Sequence, residues 1–289
     1  MPNTNLLFFG LILFILVGCF VAMYQKKNYN SVPRKIWTYW DSSDKLPKFA
    51  KICMESWQKY NSDYEITLLT KKNYMGYVNI PEEIATHPNF NDTPTRFSDL
   101  VRLYAISEHG GIWMDASILL KAPLDQWLFS RLAELSGFYL DEFTSDPQFP
   151  VVNSWFIACN RGSQFVRRWR DEFVEIGKYP NVEKYIESRR RQINFQKIND
   201  PISNAILISA QKVLQIDKYP SDSLILQKAE DGPIRYLASA KWDSEKALNL
   251  ACSNTAVQYP LMIMRESERN IIEKYIDSDL SPNKCSWLD

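Results

Sequence analysis

Histidine is scarce in this sequence, with only His87 and His109 among 289 residues. A histidine-rich metal centre is thereby excluded, and a Ser-His-Asp triad would have to use one of the two. A net charge is missing as well, because 34 basic side chains balance 34 acidic ones. Nucleic-acid binders normally carry a basic excess, so no nucleic-acid partner is expected. Glycines number nine, and no repeat or low-complexity linker divides residues 31–289, which therefore read as one domain. The five cysteines are widely spaced, without a C-x-x-C pair. Neither a zinc site nor a disulfide framework is expected from them, and reduced thiols are the simplest reading.

Charge is absent in a second, local sense. Leu6 to Tyr24 is a run of 19 residues without a charged side chain. A helix of that length spans about 29 Å, enough to cross the hydrocarbon core of a bilayer. A cleaved signal peptide would want a basic start and a small-x-small site, and neither is present. Leu16-Val17-Gly18-Cys19 resembles a lipoprotein signal, but the chain stays apolar beyond Cys19. We therefore expect a single-pass transmembrane anchor and tether over 1–30 and a catalytic domain over 31–289. Lys26, Lys27, Arg34 and Lys35 follow the run. By the positive-inside rule they favour a cytoplasmic body, and a Golgi-lumen body is the alternative for a eukaryotic protein.

What the body does contain is an α/β pattern. Arg34 to Trp40 is aromatic and β-branched and predicts a buried strand. Phe49, Ile52, Cys53, Trp57 and Tyr60 recur at helical spacing behind Pro47, and Tyr64 to Leu69 predicts a second strand. This β-α-β opening is the signature of a parallel sheet. Thr93-Pro94 reads as a cap and first turn of a helix that ends at Gly110-Gly111. A short apolar strand, Ile112 to Met114, then delivers Asp115. Further helices are expected at 161–177, 182–193 and 201–215, the last opened by Asp200-Pro201.

The helix before Gly110 is apolar nearly all round, yet it carries Asp99 and Arg102. Charges in a buried helix are costly unless they are paired or used. A structural ion pair three residues apart is the plain explanation. Asp115 sits at the carboxyl end of a strand, where open α/β sheets bind ligands. A carboxylate there can hold a divalent cation against a diphosphate, or simply cap a turn.

Together these segments resemble a known family. Ser98-Asp99-x-x-Arg102, followed by Gly110-Gly111-Ile112-Trp113-Met114-Asp115-Ala116-Ser117, is similar to the "SDxxR…GGxxxDxD" core of the capsular polysaccharide synthesis proteins. These are related to initiating mannosyltransferases and glucosylating toxins. Val32 to Trp40, Glu55 to Ile66, Asn153 to Ala158 and Lys284 to Trp287 resemble further family segments in the same order. The resemblance implies a GT-A-like, Rossmann-like nucleotide-sugar-binding domain. It implies a retaining transfer of a hexose from a UDP- or GDP-sugar to a glycan or lipid-linked acceptor.

Residue by residue, the resemblance places Trp40 beside the nucleotide base and Asp99 and Arg102 on the nucleotide or donor sugar. Asp115 becomes the first position of the metal-binding motif, and Ser286 and Trp287 close over the diphosphate with Lys284 adding charge. Mn²⁺ or Mg²⁺ would be held by Asp115 and Ser117. The sequence departs from the family at Ser117, where a second Asp is usual, and a hydroxyl is the poorer ligand for a hard cation. Asp141 could replace the lost carboxylate but reads better as an ordinary loop acid. Trp155 is placed to touch the acceptor, whereas Trp37, Trp57 and Trp113 read as core. Arg167 to Arg170 and Arg189 to Arg191 read as solvated helix faces, with anionic lipid headgroups as the alternative contact. A sugar-phosphate transferase, or a non-catalytic glycan-binding scaffold on the same fold, is the rival to the enzyme.

Overall fold

A computed structural model describes residues 32–128, 133–253, 259–277 and 285. The expected anchor at 6–24, and Lys284, Ser286 and Trp287, lie outside the described residues. Among the described residues no helix is long and apolar enough to cross a membrane.

The first strand, β1 (Lys35–Tyr39), leads into α1 (Lys48–Tyr60), which buries Phe49, Ala50, Cys53 and Trp57. Asn61 ends that helix with its amide nitrogen on the Trp57 carbonyl, and its side-chain oxygen accepts the Leu124 N–H at 2.8 Å. The chain returns as β2 (Glu65–Leu69), parallel to β1 with Ile36 opposite Ile66. The β-α-β opening is as expected. After two single helical turns comes α2 (Pro94–His109), capped by the Thr93 hydroxyl accepting from the Arg96 N–H. Then follow β3 (Gly111–Met114), β4 (Ile118–Leu120), β5 (Leu135–Leu140) and β6 (Val151–Cys159).

Three helices come next, α3 (Gln164–Val174), α4 (Val182–Arg190) and α5 (Ala205–Gln215). The last third adds β7 (Leu224–Lys228), α6 (Arg235–Ser239), α7 (Ser244–Cys252), β8 (Leu261–Ile263) and α8 (Glu266–Asp277). The main sheet has the order β2-β1-β3-β6-β5-β7, and β4 and β8 pair separately as an antiparallel ribbon. β1, β2 and β3 run parallel, whereas β6 is antiparallel to both its neighbours, so the sheet is mixed.

Alternation along the strands divides the core in two. Trp113, Ile157 and Cys159 face α2, α3 and α5. Ile112, Met114, Phe156 and Ala158 face α1, the β4–β8 ribbon and α6 to α8. Adjacent side chains leave opposite faces of a strand, so each central strand serves both halves. The switch from α2 into β3 is tight. Gly110 (φ 65°) has backbone of Arg161 where a Cβ would sit, 2.6 Å away, and Gly111 (φ 94°) similarly abuts the Lys35 carbonyl. A side chain at either would push β3 away from its neighbours.

Four expectations are corrected. Helix α5 begins at Ala205 rather than 201, because Asp200 adopts φ 42° and Pro201 falls in the turn that follows. The cysteines are not all free. Cys252, at the end of α7, is disulfide-bonded to Cys285, 33 residues later. The fold brings together residues whose spacing gave no sign of pairing, while Cys53 and Cys159 are buried free thiols.

Arg189 is not solvated, because its Nε donates to the buried Glu172 at 2.6 Å. Tyr185 and Lys212 complete that cluster, while Arg190 and Arg191 are exposed as expected. Arg170 is half-buried, donating to Ser107 and Asp171 and lying over Tyr104, while Arg167 and Arg168 are exposed. Trp37, Trp57 and Trp113 are buried as expected.

Candidate active site

The site is built on the carboxyl end of β3. Asp115 leaves that strand with its N–H on the Trp155 carbonyl of β6 at 2.9 Å, and its own carbonyl accepts the Ile118 N–H. Ser117 follows two residues later, its carbonyl accepting the Met264 N–H beyond β8. The main sheet and the β4–β8 ribbon therefore both fix the short turn that carries these two residues.

Behind the turn, α2 presents Arg102. Its Nη1 lies 3.3 Å from Asp99 Oδ1, and its Nη2 donates to Asp115 Oδ1 at 2.9 Å. Trp113 Nε1 donates to the same Asp115 oxygen at 2.8 Å, and the guanidinium lies 5.0 Å from the Trp113 ring centre. The internal Asp99–Arg102 pair thus exists, but Arg102 also reaches outward to Asp115. Burial of Asp99 and Arg102 raises the cost of breaking the pair between them. The Arg102 Nε has no hydrogen-bond partner. Burial pushes the Asp99 carboxyl up to about 7, against the pull of Arg102. Asp99 and Arg102 are closed off, whereas the Asp115 side chain is 32% exposed.

Two cavities open on either side of the turn. The first, of about 430 Å³, is lined by Trp40, Asp41, Thr95, Ser98 and Arg102 among others. The second, of about 570 Å³, is lined by Phe143, Asn153, Trp155, Ile234, Trp242 and Met264 among others. Asp115, Ser117 and Arg269 line both. The structure thus brings Trp40, Arg102, Asp115, Ser117 and Trp155 to the walls of these two cavities. Asp99 stands behind Arg102 and does not line either cavity. Asp141 pairs with Lys228 at 2.7 Å and lines neither cavity. His109, at the end of α2, contacts the Tyr77 carbonyl at 2.6 Å and stacks on Trp37.

Sequence reading missed Arg269 and Trp242. The Arg265 and Arg269 pair, four apart behind Met264, was the available signal for the first. Trp242 had none: it and Lys241 both adopt left-handed backbone, φ 65° and 52°. For residues with a Cβ this costs about 1–2 kcal/mol each. The Trp242 N–H bonds to the Leu237 carbonyl at 2.9 Å, and its carbonyl accepts from Arg265. Arg265 is itself held by the buried Glu268 at 2.7 Å and lies over the Trp242 ring. Strain held in this way in a residue that lines a cavity points to use.

The fit of a divalent cation can be judged from the donors. One Asp115 oxygen is already taken by Arg102 and Trp113. What remains is one carboxylate oxygen and the Ser117 hydroxyl. Among the described residues no three of His, Cys, Asp and Glu gather where they could hold a metal. A resident Mn²⁺ or Mg²⁺ wants several hard oxygen ligands, and this set does not fit one.

Fold and site together define an α/β protein with a two-chambered cleft at the carboxyl end of its central strands. The chain belongs to the capsular polysaccharide synthesis protein family, whose family model matches residues 18–199. Two curated fungal proteins are similar. An O-glycosyltransferase, braB, from Annulohypoxylon truncatum is 25% identical over 174 residues, which is 54% of this chain and 40% of that one. The glycosyltransferase afumC from Aspergillus fumigatus is 26% identical over 162 residues, 50% of this chain and 40% of that one. The chain thus matches about two fifths of the length of each. A solved galactosyltransferase, LgtC, in complex with donor and acceptor sugar analogs is a distant likeness. It is 14% identical with a TM-score of 0.45, covering 84% of this chain and 94% of that one.

Proposed function

We propose that this protein is a glycosyltransferase that moves a hexose from a nucleotide sugar to a glycan or lipid-linked acceptor. The observation that carries this is the Asp99–Arg102–Asp115 chain, which ends in one half-buried carboxylate on the wall between two cavities. The family supports the same reading. The first cavity takes the donor: the exposed part of Trp40 offers a face to the base, and Asp115, held in place by Arg102, meets the sugar or ribose hydroxyls. The second takes the acceptor, with Trp155 and Trp242 as faces for a sugar ring or an apolar aglycone.

In the reaction the sugar C1–O bond to the diphosphate breaks and a C1–O bond to the acceptor hydroxyl forms. The hydroxyl proton leaves with the diphosphate. Such a transfer depends on positioning and charge neutralisation more than on a strong acid or base. Retention at C1, the 6–24 anchor and the side of the membrane belong to this proposal too. The basic residues after the anchor support a cytoplasmic body, and the Cys252–Cys285 bond supports an oxidising lumen. Protease protection of membrane vesicles separates the two.

Full-length protein in detergent should release nucleotide from a UDP- or GDP-sugar. Asp115→Ala should lower that rate about 100- to 1000-fold. If no nucleotide sugar is turned over and acceptor glycan alone binds, the scaffold reading replaces the enzyme.

A further inference from the structure

The first cavity needs a positive charge that the metal motif does not supply. Resting on the donor reading of the site, we infer that Arg269 binds the diphosphate directly and that donor binding needs no divalent metal. Three arginines line the two cavities, Arg102, Arg265 and Arg269. Arg102 is committed to Asp99 and Asp115, and Arg265 to Glu268. Arg269 alone has no carboxylate within ion-pair distance among the described residues.

Its natural helix partner is elsewhere. Glu273 is one turn further along α8, where an i,i+4 pair would form. Its Oε1 instead accepts the Phe49 N–H at 2.7 Å, docking α8 on α1. That contact fixes the helix and leaves the Arg269 guanidinium, half-buried, against the shared wall. A half-buried cation without a counter-ion is costly unless an anion arrives. The two other shared residues sit where that anion would lie: Asp115, with one oxygen already bonded, and Ser117, with a hydroxyl in place of a carboxylate.

A second carboxylate at 117 would repel a diphosphate unless a metal intervened. The serine removes that repulsion, and Arg269 supplies the attraction with planar, bidentate donors suited to phosphate. The wall is therefore complementary to an anion without a bridging cation, and the Ser117 departure and an arginine unpaired among the described residues explain one another.

The test uses full-length protein in detergent and calorimetric titration with UDP and GDP, in EDTA and again in Mn²⁺. One nucleotide should bind in EDTA with an affinity within about threefold of its value in Mn²⁺. Arg269→Ala should weaken that binding about 10- to 100-fold, while the matching nucleoside binds as before. Arg269→Lys should recover part of the loss, and Arg269→Gln, which keeps most of the stem, should behave like the alanine variant. Unfolding temperatures matching wild type tie these losses to the charge, and losses that instead track unfolding would overturn the assignment. Binding that vanishes in EDTA, or that Arg269→Ala leaves unchanged, overturns the assignment and leaves the donor reading standing. If neither nucleotide binds wild type in either buffer, the donor reading falls and this inference falls with it.

Discussion

The two cavities share a wall and little else. The first joins the end of β1, helix α2 and the turn after β3, with Arg269 of α8 reaching in from far along the chain. Beyond the shared wall, the second gathers residues from β5 onward to α8, among them Trp242 in left-handed backbone. Both chambers carry charged side chains beside apolar surface; the first draws mainly on residues 39–117 and the second mainly on residues 140–269. The difference suggests that changes at the first chamber act on the fold and the donor together, and changes at the second act on the acceptor alone.

Arg102→Ala is the strongest challenge to that division. It removes the cation that Asp99 and Asp115 both use, and should destabilise the fold by about 3 kcal/mol or more. A denaturant midpoint that does not move would break the claim that the first chamber is structural. Trp242→Ala should do the opposite. It should raise acceptor KM about 3- to 10-fold, leave donor KM alone, and change stability little. An equal shift in both KM values would place Trp242 outside the acceptor chamber.

Asp99→Asn gives the smallest and most specific effect. The Asp99 carboxyl, ordinarily near 3.8, is raised to about 7 by burial. The folded protein therefore keeps a proton that the unfolded chain loses, and stability falls as pH rises from about 4 to 7. Asp99→Asn should flatten the stability profile across that window. An unchanged profile would show that Asp99 is ionised in the fold.

Legibility in the sequence follows the same boundary. β1, α1, β2 and α2 announced themselves because each carries its own periodicity and punctuation: Pro47, Asn61, Thr93 and Gly110 all stand where they stop or start an element. Asp99, Arg102 and Asp115 were visible as charges in apolar surroundings. Arg269 was not, because its meaning comes from Glu273 turning away toward Phe49. Nor was the Cys252–Cys285 bond, which depends on where α7 ends in space. Arg189 misled for a related reason: a run of three arginines looks solvated until Glu172, on another helix, is placed beneath the first.

The shared wall has a thermodynamic consequence. Asp115, Ser117 and Arg269 line both chambers, so an occupant of either chamber changes the surface offered to the other. Such coupling is reciprocal: whatever factor the donor contributes to acceptor affinity, the acceptor returns to the donor. A diphosphate that neutralises Arg269 would set the electrostatic potential the acceptor hydroxyl meets, favouring donor first and acceptor second. After transfer the same guanidinium would hold the departing diphosphate. Three side chains between two rooms would then govern the order of entry and the pace of exit as well as the chemistry.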